Sequence, residues 1–397
     1  MEKLRKLVNE IAYSHDHAKL TSVHRSLTPV LSFASSLYKL VLSIRHYLYH
    51  FGLFRKHRLP VPVISVGNLT WGGNGKTPMV EFISLLLADS GISPLILTRG
   101  YAGGDEVKML QRHLLGKPAK FGIGANRVDV AGLFFQKYGY VDLQNSTCIE
   151  KQCRDRKVQK YTDSEKVGVI VLDDGMQHWK LWRDLEIVMI NGLTLWGNLQ
   201  LLPLGPLREP LTALRRADAV VIHHADLVSQ HRLREMESTI KEVEDSLPIF
   251  FTRMNPSYFF EVGTMDCKIP LQALHNAIVL CVSAIGSADA FVQGMLKIGA
   301  VHVDRLDFSD HHVFHARDIN IIRTRLGELE DKRGSKPIVV VTEKDYDRDP
   351  KILEQLYPYK VLVLCSELKV IPYRGNTEES FKKLLKHQLK IELPGAN

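Results

Sequence analysis

The chain has 397 residues, of which 45% are hydrophobic, and a formal net charge of +8 at neutral pH. This length and apolar content exclude a disordered or fibrous protein and predict two or three domains. The positive charge suits anionic partners such as nucleotides or phospholipid surfaces. No basic stripe interleaved with aromatic residues occurs, so we expect no nucleic-acid binding. Nothing in the sequence indicates a protein partner.

The five cysteines are scattered along the chain, and the spacing of Cys148 and Cys153 is not that of a zinc knuckle. This pattern predicts free thiols in a reducing compartment and argues against a disulfide-rich secreted protein.

The first 25 residues mix basic and apolar side chains and show no secretory signal peptide. They could be an organellar presequence or an exposed helix. The acidic residues Glu2, Glu10 and Asp16 argue mildly against a presequence.

Residues 29–54 place large apolar side chains at helical spacing, and a basic run, Arg55 to Arg58, follows. Lys39 and Arg45 interrupt the segment before it reaches the roughly 20 apolar residues that a spanning helix needs. The pattern favours a helix lying in the membrane interface, with the basic run near anionic head groups. An amphipathic helix packed on the protein's own core fits the periodicity equally well.

A glycine loop follows an apolar strand that begins near Val61 and precedes a helix-like segment. Consecutive glycines let backbone N–H groups turn around an anion, and the following helix adds the positive end of its dipole. Lys76 is placed for the β- and γ-phosphates, and the Thr77 hydroxyl is placed for Mg²⁺. The position six before Lys76, usually glycine in a P-loop, is Thr70. An ordinary glycine turn is the alternative; the P-loop hypothesis predicts ATP and Mg²⁺ bound by Gly72, Gly73, Asn74, Gly75, Lys76 and Thr77.

Alternating apolar strands and helices between residues 61 and 225 predict a parallel α/β sheet with its sites at the carboxyl ends of the strands. The predicted strands are 94–98, 167–172, 185–190 and 219–222, and a polar segment, 142–166, is predicted to be a surface insertion.

A second α/β pattern begins near residue 277. The predicted organisation is an N-terminal extension with the interfacial helix (1–54), a P-loop domain (55–248), a connector with two extended runs (249–268) and a smaller α/β domain (269–397). The fold class is therefore a P-loop NTPase-like parallel sheet domain with a second, smaller α/β domain and an N-terminal amphipathic helix.

Acidic residues follow two of the predicted strands. Asp173 and Asp174 end the strand downstream of the P-loop, where P-loop enzymes keep the carboxylate that holds Mg²⁺. Asp105, on a glycine-flanked loop, could act as a general base, although an isolated loop aspartate is more often structural. Asp310, His311 and His312 favour one histidine oriented by a carboxylate over a metal cluster.

Several segments together resemble the tetraacyldisaccharide 4′-kinase family, over roughly residues 35–370. The resembling segments are VPVISVGNLTWGGNGKTP from Val61, LTRGYAGGDE from Leu97, DDGMQHWKLWRDLEIVMI from Asp173, GNLQLLPLGPLREP from Gly197 and RRADAVVI from Arg215, with weaker echoes in FSDHHVF and VVTEKD. The resemblance implies a monotopic membrane enzyme that transfers the ATP γ-phosphate to the 4′-hydroxyl of tetraacyldisaccharide 1-phosphate, a lipid A precursor.

The resemblance also implies roles for single residues. Lys76 and Asp174 become catalytic residues, Thr77, Asp173 and Glu209 become metal ligands, and Gly72, Gly73, Asn74 and Gly75 bind the nucleotide.

For the acceptor, the resemblance pairs Asp105 with His311 as the catalytic groups that activate the hydroxyl. It places Gln177, Arg127 and Arg208 among the residues that bind substrate or phosphate.

Two rivals remain on the sequence alone. One is a P-loop kinase or NTPase acting on a soluble metabolite, and the other is a nucleotide-dependent switch that docks on membranes. A bacterial enzyme of this kind would lie on the cytoplasmic face of the inner membrane, whereas the insertion and the N-terminal extension favour an organellar, mitochondrial homologue.

Overall fold

The computed structural model describes residues 2–14, 21–100, 104–141 and 165–391. The helices are α1 Glu2–Ala12, α2 Ser22–His50, α3 Lys76–Asp89, α4 Asp105–His113, α5 Arg127–Tyr138, α6 Gln230–Val243, α7 Ala288–Ile298, α8 Ala316–Arg333, α9 Glu343–Arg348, α10 Pro350–Glu354 and α11 Glu378–Leu389. The strands are β1 Val63–Asn68, β2 Pro94–Thr98, β3 Lys120–Ile123, β4 Val169–Asp173, β5 Leu185–Asn191, β6 Ala219–His223, β7 Ile249–Glu261, β8 Thr264–Ile269, β9 Ile278–Ser283, β10 His302–Asp307, β11 Ile338–Thr342 and β12 Val361–Ile371. All but the last two residues of the predicted insertion, 142–166, lie outside the described ranges.

The chain divides into two compact units. The first comprises the described parts of Met1–Arg99, Gly116–Arg253 and Val370–Asn397, and the second comprises those of Gly100–Leu115 and Met254–Lys369. The α/β fold class with a mainly parallel sheet is confirmed.

In the first unit the strands run in the order β6, β5, β1, β4, β2, β3, and all adjacent pairs are parallel. Every residue of β1, β2, β4, β5 and β6 is buried, as expected for strands covered on both faces. Because the strands are parallel, their last residues meet at one edge of the sheet. These residues are Asn68 of β1, Asp173 of β4, Asn191 of β5 and His223 of β6.

In the second unit β10, β9, β11 and β12 form parallel pairs, while β7 pairs antiparallel with β8. Its core contains Asp345, whose side chain is fully buried. Asp345 Oδ1 accepts hydrogen bonds from the N–H of Ala284 at 3.1 Å and from Arg348 Nη1 at 3.0 Å. The aspartate of the VVTEKD segment therefore ties α9 to the loop after β9.

The two compact units are not continuous along the chain as the predicted domains are. Residues 104–115 belong to the second unit, where Arg112 of α4 pairs with Glu343 at 2.9 Å and with Asp347 at 2.8 Å, both on α9. Residues 370–391 belong to the first unit, where the Phe381 ring lies 5.1 Å from that of Phe250. Both differences arise from pairings between distant segments of the chain.

Helix α2 begins seven residues earlier than the predicted 29–54 segment and ends at His50. By length and apolar composition it is long enough to cross a membrane, which the charges at Lys39 and Arg45 led us not to expect. Its apolar side chains are exposed, with Phe33 76% exposed and Leu37, Leu40, Val41 and Ile44 each about half exposed. Within the described part of the chain this face does not pack on the protein's own core, so that alternative is wrong.

Helix α1 is buried at its C-terminal end, whereas Leu4, Lys6, Asn9 and Glu10 are exposed. Ile11 and Ala12 are fully buried, and Ile11 packs with Leu31 of α2 and with Leu204. One residue before Ile11, Glu10 Oε2 lies 2.8 Å from Nε2 of the buried His24.

Candidate active site

The glycine loop between β1 and α3 has the backbone that its sequence predicts. Gly72 and Gly75 adopt positive φ angles of 92° and 79°, and Gly75 is the left-handed residue directly before α3. A side chain at Gly75 would also collide with the ring of His223, since its Cβ would lie 2.5 Å from the His223 Cδ2. Glycine is therefore required here both by conformation and by space.

Two asparagines hold the carbonyls of this loop. Asn74 Nδ2 donates to the carbonyl oxygens of Thr70 and Gly72, each at 3.2 Å, and Asn191 Nδ2 donates to that of Gly73 at 2.8 Å. In a planar trans peptide the carbonyl and the next N–H point in opposite directions. Fixing the Gly72 and Gly73 carbonyls therefore turns the following N–H groups to the other side of the loop, as an anion cradle requires.

These contacts explain the departure at Thr70 and reveal a residue that the sequence analysis missed. Thr70 is buried, and its Oγ1 lies 3.3 Å from Asn74 Oδ1, so a hydroxyl replaces the usual glycine to hold the asparagine. The contacts of Asn74 are with the loop backbone, and its predicted role in nucleotide binding stays a prediction. Asn191 was not predicted, although a polar residue at the end of strand β5 was a usable signal.

Thr77 and Asp173 lie together at the start of α3. Thr77 Oγ1 donates to Asp173 Oδ2 at 3.4 Å, and both side chains are buried. A hydroxyl and a carboxylate are hard oxygen donors of the kind that Mg²⁺ prefers. In the described part of the chain no cluster of three or more histidine, cysteine or acidic side chains could hold a metal alone. The pair fits Mg²⁺, which takes most of its ligands from phosphates and water.

Asp174 is surrounded by positive charge. Arg208 Nη1 lies 2.7 Å from Asp174 Oδ1 and 2.9 Å from Oδ2, and Lys76 Nζ lies 3.7 Å from Oδ1. Burial alone would raise the pKa of this carboxyl, but Lys76, Arg208 and Arg127 together lower it to about 2. Asp174 is therefore ionised at neutral pH and orients both cations.

Arg127 lies beneath this turn. The side chain is buried and donates from Nη1 to the carbonyl oxygen of Asp174 at 3.1 Å and from Nη2 to that of Asp173. Burial lowers the pKa of the guanidinium despite the two aspartates. These contacts commit Nη1 and Nη2 of Arg127 to the backbone of the turn, where Asp174 has a positive φ of 53°. The role of Arg127 in binding substrate or phosphate stays a prediction.

Gln177 and Arg208 connect the same turn to β1. Gln177 Nε2 donates to the carbonyl oxygen of Asn68 at 3.0 Å, and Gln177 Oε1 lies 3.4 Å from Arg208 Nη1. Helix α2 supports both residues, since Tyr38 donates to the carbonyl oxygen of Arg208 at 2.8 Å and Arg45 donates to that of Gln177.

Glu209 is buried, and its Oε2 lies 2.8 Å from Arg216 Nη2. Its Oε1 is buried without a hydrogen-bond partner in the described structure. The metal role of Glu209 stays a prediction, because the contacts that the structure gives it are with Arg216.

Asp105 and His311, the two residues predicted to activate the acceptor hydroxyl, belong to the second unit. Asp105 is the first residue of α4, and its side chain lies outside the described atoms. His311 has a positive φ of 63°, and its Nε2 lies 3.8 Å from Asp310 Oδ2. His312 is a structural residue instead, because its Nε2 bonds to Asp318 Oδ2 at 2.8 Å in the first turn of α8.

The chain is similar to known proteins over most of its length. A family model described as tetraacyldisaccharide-1-P 4′-kinase matches residues 27–390. A protein of Arabidopsis thaliana named probable tetraacyldisaccharide 4′-kinase, mitochondrial, is 59% identical over 385 residues, which cover 97% of each chain. A tetraacyldisaccharide 4′-kinase of Halothermothrix orenii is 30% identical over 330 residues, which cover 80% of this chain and 81% of that protein.

A solved structure shares the fold. It is the crystal structure of LpxK from Aquifex aeolicus in complex with ATP, with a TM-score of 0.58 and 26% sequence identity. The similarity covers 92% of this chain and 99% of the Aquifex chain.

The charge of Asp174 should make a measurable, pH-dependent contribution to stability. Its folded-state pKa of about 2 is below the ordinary value of 3.8, so the ionised form favours folding. The contribution is fully present above about pH 5 and is lost as the pH falls from about 4 towards 2. We expect Asp174→Asn to lower the free energy of unfolding at pH 7 by about 2 kcal/mol.

The measurement is denaturant unfolding of wild type and variant between pH 7 and pH 3, followed by tryptophan fluorescence. All four tryptophans, at positions 71, 179, 182 and 196, lie in the first unit, so the signal reports the unit that contains Asp174. A deficit that stays constant down to pH 3 would contradict the assignment.

Proposed function

The chain belongs to the tetraacyldisaccharide-1-P 4′-kinase family, and we propose that its first unit carries the transfer of the ATP γ-phosphate to the 4′-hydroxyl of a tetraacyldisaccharide 1-phosphate. Family membership makes the protein an ATP-dependent kinase of lipid A biosynthesis. Membership also sets aside the soluble-metabolite kinase and the docking switch that the sequence alone left open.

The observation that carries the proposal is the arrangement of Lys76, Thr77, Asp173 and Asp174 around the glycine loop. Phosphoryl transfer needs little covalent chemistry from a protein, so catalysis rests on positioning and on neutralising charge. Lys76 has three N–H donors and can contact Asp174 and a phosphate oxygen at the same time. We assign the kinase domain, predicted as residues 55–248, to this unit.

Thr77 and Asp173 would hold Mg²⁺, which when bound supplies charge neutralisation at the β- and γ-phosphates. The residues of this chain do the rest. The hydrogen bonds from Asn74 and Asn191 to the loop carbonyls keep the loop N–H groups turned toward the phosphates. Arg127 fixes the backbone turn that carries Asp173 and Asp174. Arg208 is placed by Asp174 and Gln177 so that its remaining N–H groups can bind a phosphate oxygen.

We assign activation of the acceptor hydroxyl to Asp105, with His311 as its partner. A carboxylate general base accepts the hydroxyl proton as the phosphoryl group is transferred. Two features support this assignment: α4 begins at Asp105, and α4 is held to α9 by Arg112 and by His113, whose Nε2 lies 2.6 Å from Glu343 Oε1. Such a clamp would keep the start of α4 in a fixed position.

We further infer that α2 binds a membrane surface, so that the protein is monotopic and meets its lipid acceptor at the bilayer. The support is the row of exposed apolar side chains on α2, followed by exposed aromatic residues at Phe51 and Phe54. Exposed Trp182 lies beside this segment, with Lys56 Nζ at 5.7 Å and Arg58 Cζ at 5.9 Å from its ring centroid. Exposed apolar and aromatic residues with adjacent cations are typical of an interface with anionic lipid.

The kinase assignment predicts that purified full-length protein converts tetraacyldisaccharide 1-phosphate and ATP to a bisphosphorylated product in detergent. We expect Asp105→Asn to lower kcat by about 10²- to 10⁴-fold, the range contributed by a general base, while leaving the Kd for ATP unchanged. Asp89→Asn is the matched control, because Asp89 is an exposed residue paired with Lys117. Product mass and initial rates measure the outcome.

Folded wild-type protein that forms no bisphosphorylated product would falsify the kinase assignment. A weaker Kd for ATP in Asp105→Asn, with kcat retained, would instead move that residue to the nucleotide site.

The membrane inference predicts that substitution of Phe33, Leu37 and Leu40 by serine lowers affinity for anionic phospholipid vesicles by about 100-fold or more, since each buried apolar side chain contributes about 1.5–3 kcal/mol. The control replaces Leu115, Leu133 and Leu296 by serine. These three leucines are not part of α2, and each is at least half exposed, as the three α2 residues are. Vesicle co-sedimentation measures both variants. Equal binding by wild type and the α2 variant contradicts the inference.

We infer a mitochondrial location, as named for the Arabidopsis thaliana relative. A tagged full-length chain expressed in plant cells should co-fractionate with mitochondrial membranes. It should stay bound to those membranes after a low-salt wash without carbonate. Recovery in the soluble fraction, or with another organelle, contradicts this inference.

A further inference from the structure

Helix α1 and Tyr13 lie before residue 27, where the match to the family model begins. They are nevertheless built into the first unit. The backbone N–H of Asn198 donates to the carbonyl oxygen of Ala12 at 2.9 Å, and Asn198 Nδ2 donates to that of Ile11 at 3.2 Å. Asn198 therefore caps the last turn of α1 with both its main chain and its side chain.

Tyr13 directly follows this capped turn and reaches the glycine loop. Its hydroxyl donates to the carbonyl oxygen of Trp71 at 3.3 Å and lies 3.9 Å from the position of a Cβ on Gly72. Burial raises the pKa of Tyr13 to about 12, although hydrogen bonds with Thr194 and Trp71 oppose the shift. The hydroxyl therefore keeps its proton at neutral pH and remains a donor.

We propose that Tyr13 is a positioning residue for the phosphate site, acting through the peptide group that joins Trp71 to Gly72. The carbonyl of Trp71 and the N–H of Gly72 belong to one planar unit and point in opposite directions. Holding the carbonyl with Tyr13 fixes the direction of the Gly72 N–H. The proposal rests on the ATP site described above and adds an element that the family match does not include.

The surrounding contacts place this tie in a series. Three consecutive carbonyls of the loop each accept a side-chain donor: Trp71 from Tyr13, Gly72 from Asn74 and Gly73 from Asn191. The N–H of Trp71 also donates to the carbonyl oxygen of Pro206 at 3.0 Å, so both faces of this residue's backbone are held. Tyr13 supplies the first of these three hydrogen bonds. It directly follows helix α1, which lies outside the nucleotide-binding sheet.

The test compares Tyr13→Phe with wild type in the full-length protein. Removing one hydrogen bond that orients a phosphate-binding N–H should weaken the Kd for ATP, and raise the KM for ATP, about two- to tenfold. The KM for the lipid acceptor and the midpoint of thermal unfolding without ATP should stay at the wild-type values. Tyr357→Phe, at a tyrosine that is 80% exposed in the second unit, is the matched control and should change neither constant.

A second variant lacks residues 2–14, which removes both helix α1 and the hydrogen bond from Tyr13 to the carbonyl of Trp71. If Tyr13 orients the loop, the deletion weakens ATP binding at least as much as Tyr13→Phe. If α1 only stabilises the fold, Tyr13→Phe lowers the unfolding midpoint and leaves the Kd for ATP unchanged, and the proposal is overturned. Wild-type protein that fails to bind ATP would overturn the proposed function itself, which keeps the two failures distinct.

Discussion

The phosphate site depends on keeping a short stretch of backbone in one orientation. The peptide groups between Thr70 and Gly75 must turn their N–H groups to one side, although glycine loops lose more conformational entropy on folding than any other segment. Side-chain amides and a buried histidine supply the constraint, because Asn74 and Asn191 hold the carbonyls and His223 fills the space beside Gly75. The edge where the parallel strands end brings these residues together.

A second constraint is the balance of charge around Asp174. Lys76, Arg127 and Arg208 would repel one another if no anion lay among them, and the ionised Asp174 lowers that cost at neutral pH. Each cation is therefore held in place by protein groups alone. Preorganised charge of this kind stabilises a transition state without reorganisation at the moment of reaction.

Sequence reasoning located the elements whose signals are local. Strand 94–98 was predicted at the bounds observed, and strands 185–190 and 219–222 were each predicted one residue too short, because short apolar runs between turn residues are legible without tertiary information. It missed α4, which starts in a glycine-rich loop and is held through its own Arg112 to Glu343 of the distant helix α9. It did not foresee that Arg127 donates to the carbonyl oxygens of Asp173 and Asp174, because an arginine that binds carbonyls looks in sequence like one that binds an anion.

Helix α2 joins the apolar surface to the nucleotide site. One face exposes Phe33, Leu37 and Leu40, while the other donates through Tyr38 and Arg45 to the backbone of Arg208 and Gln177. Arg45 and Arg216 also lie 5.0 Å and 4.4 Å from the ring of Trp179, in the loop that carries Asp174. Removing the whole helix would therefore disturb the site together with the apolar face. Substitutions confined to the apolar face leave the contacts of Tyr38 and Arg45 in place, so they separate the exposed apolar surface from the helix face that holds the site.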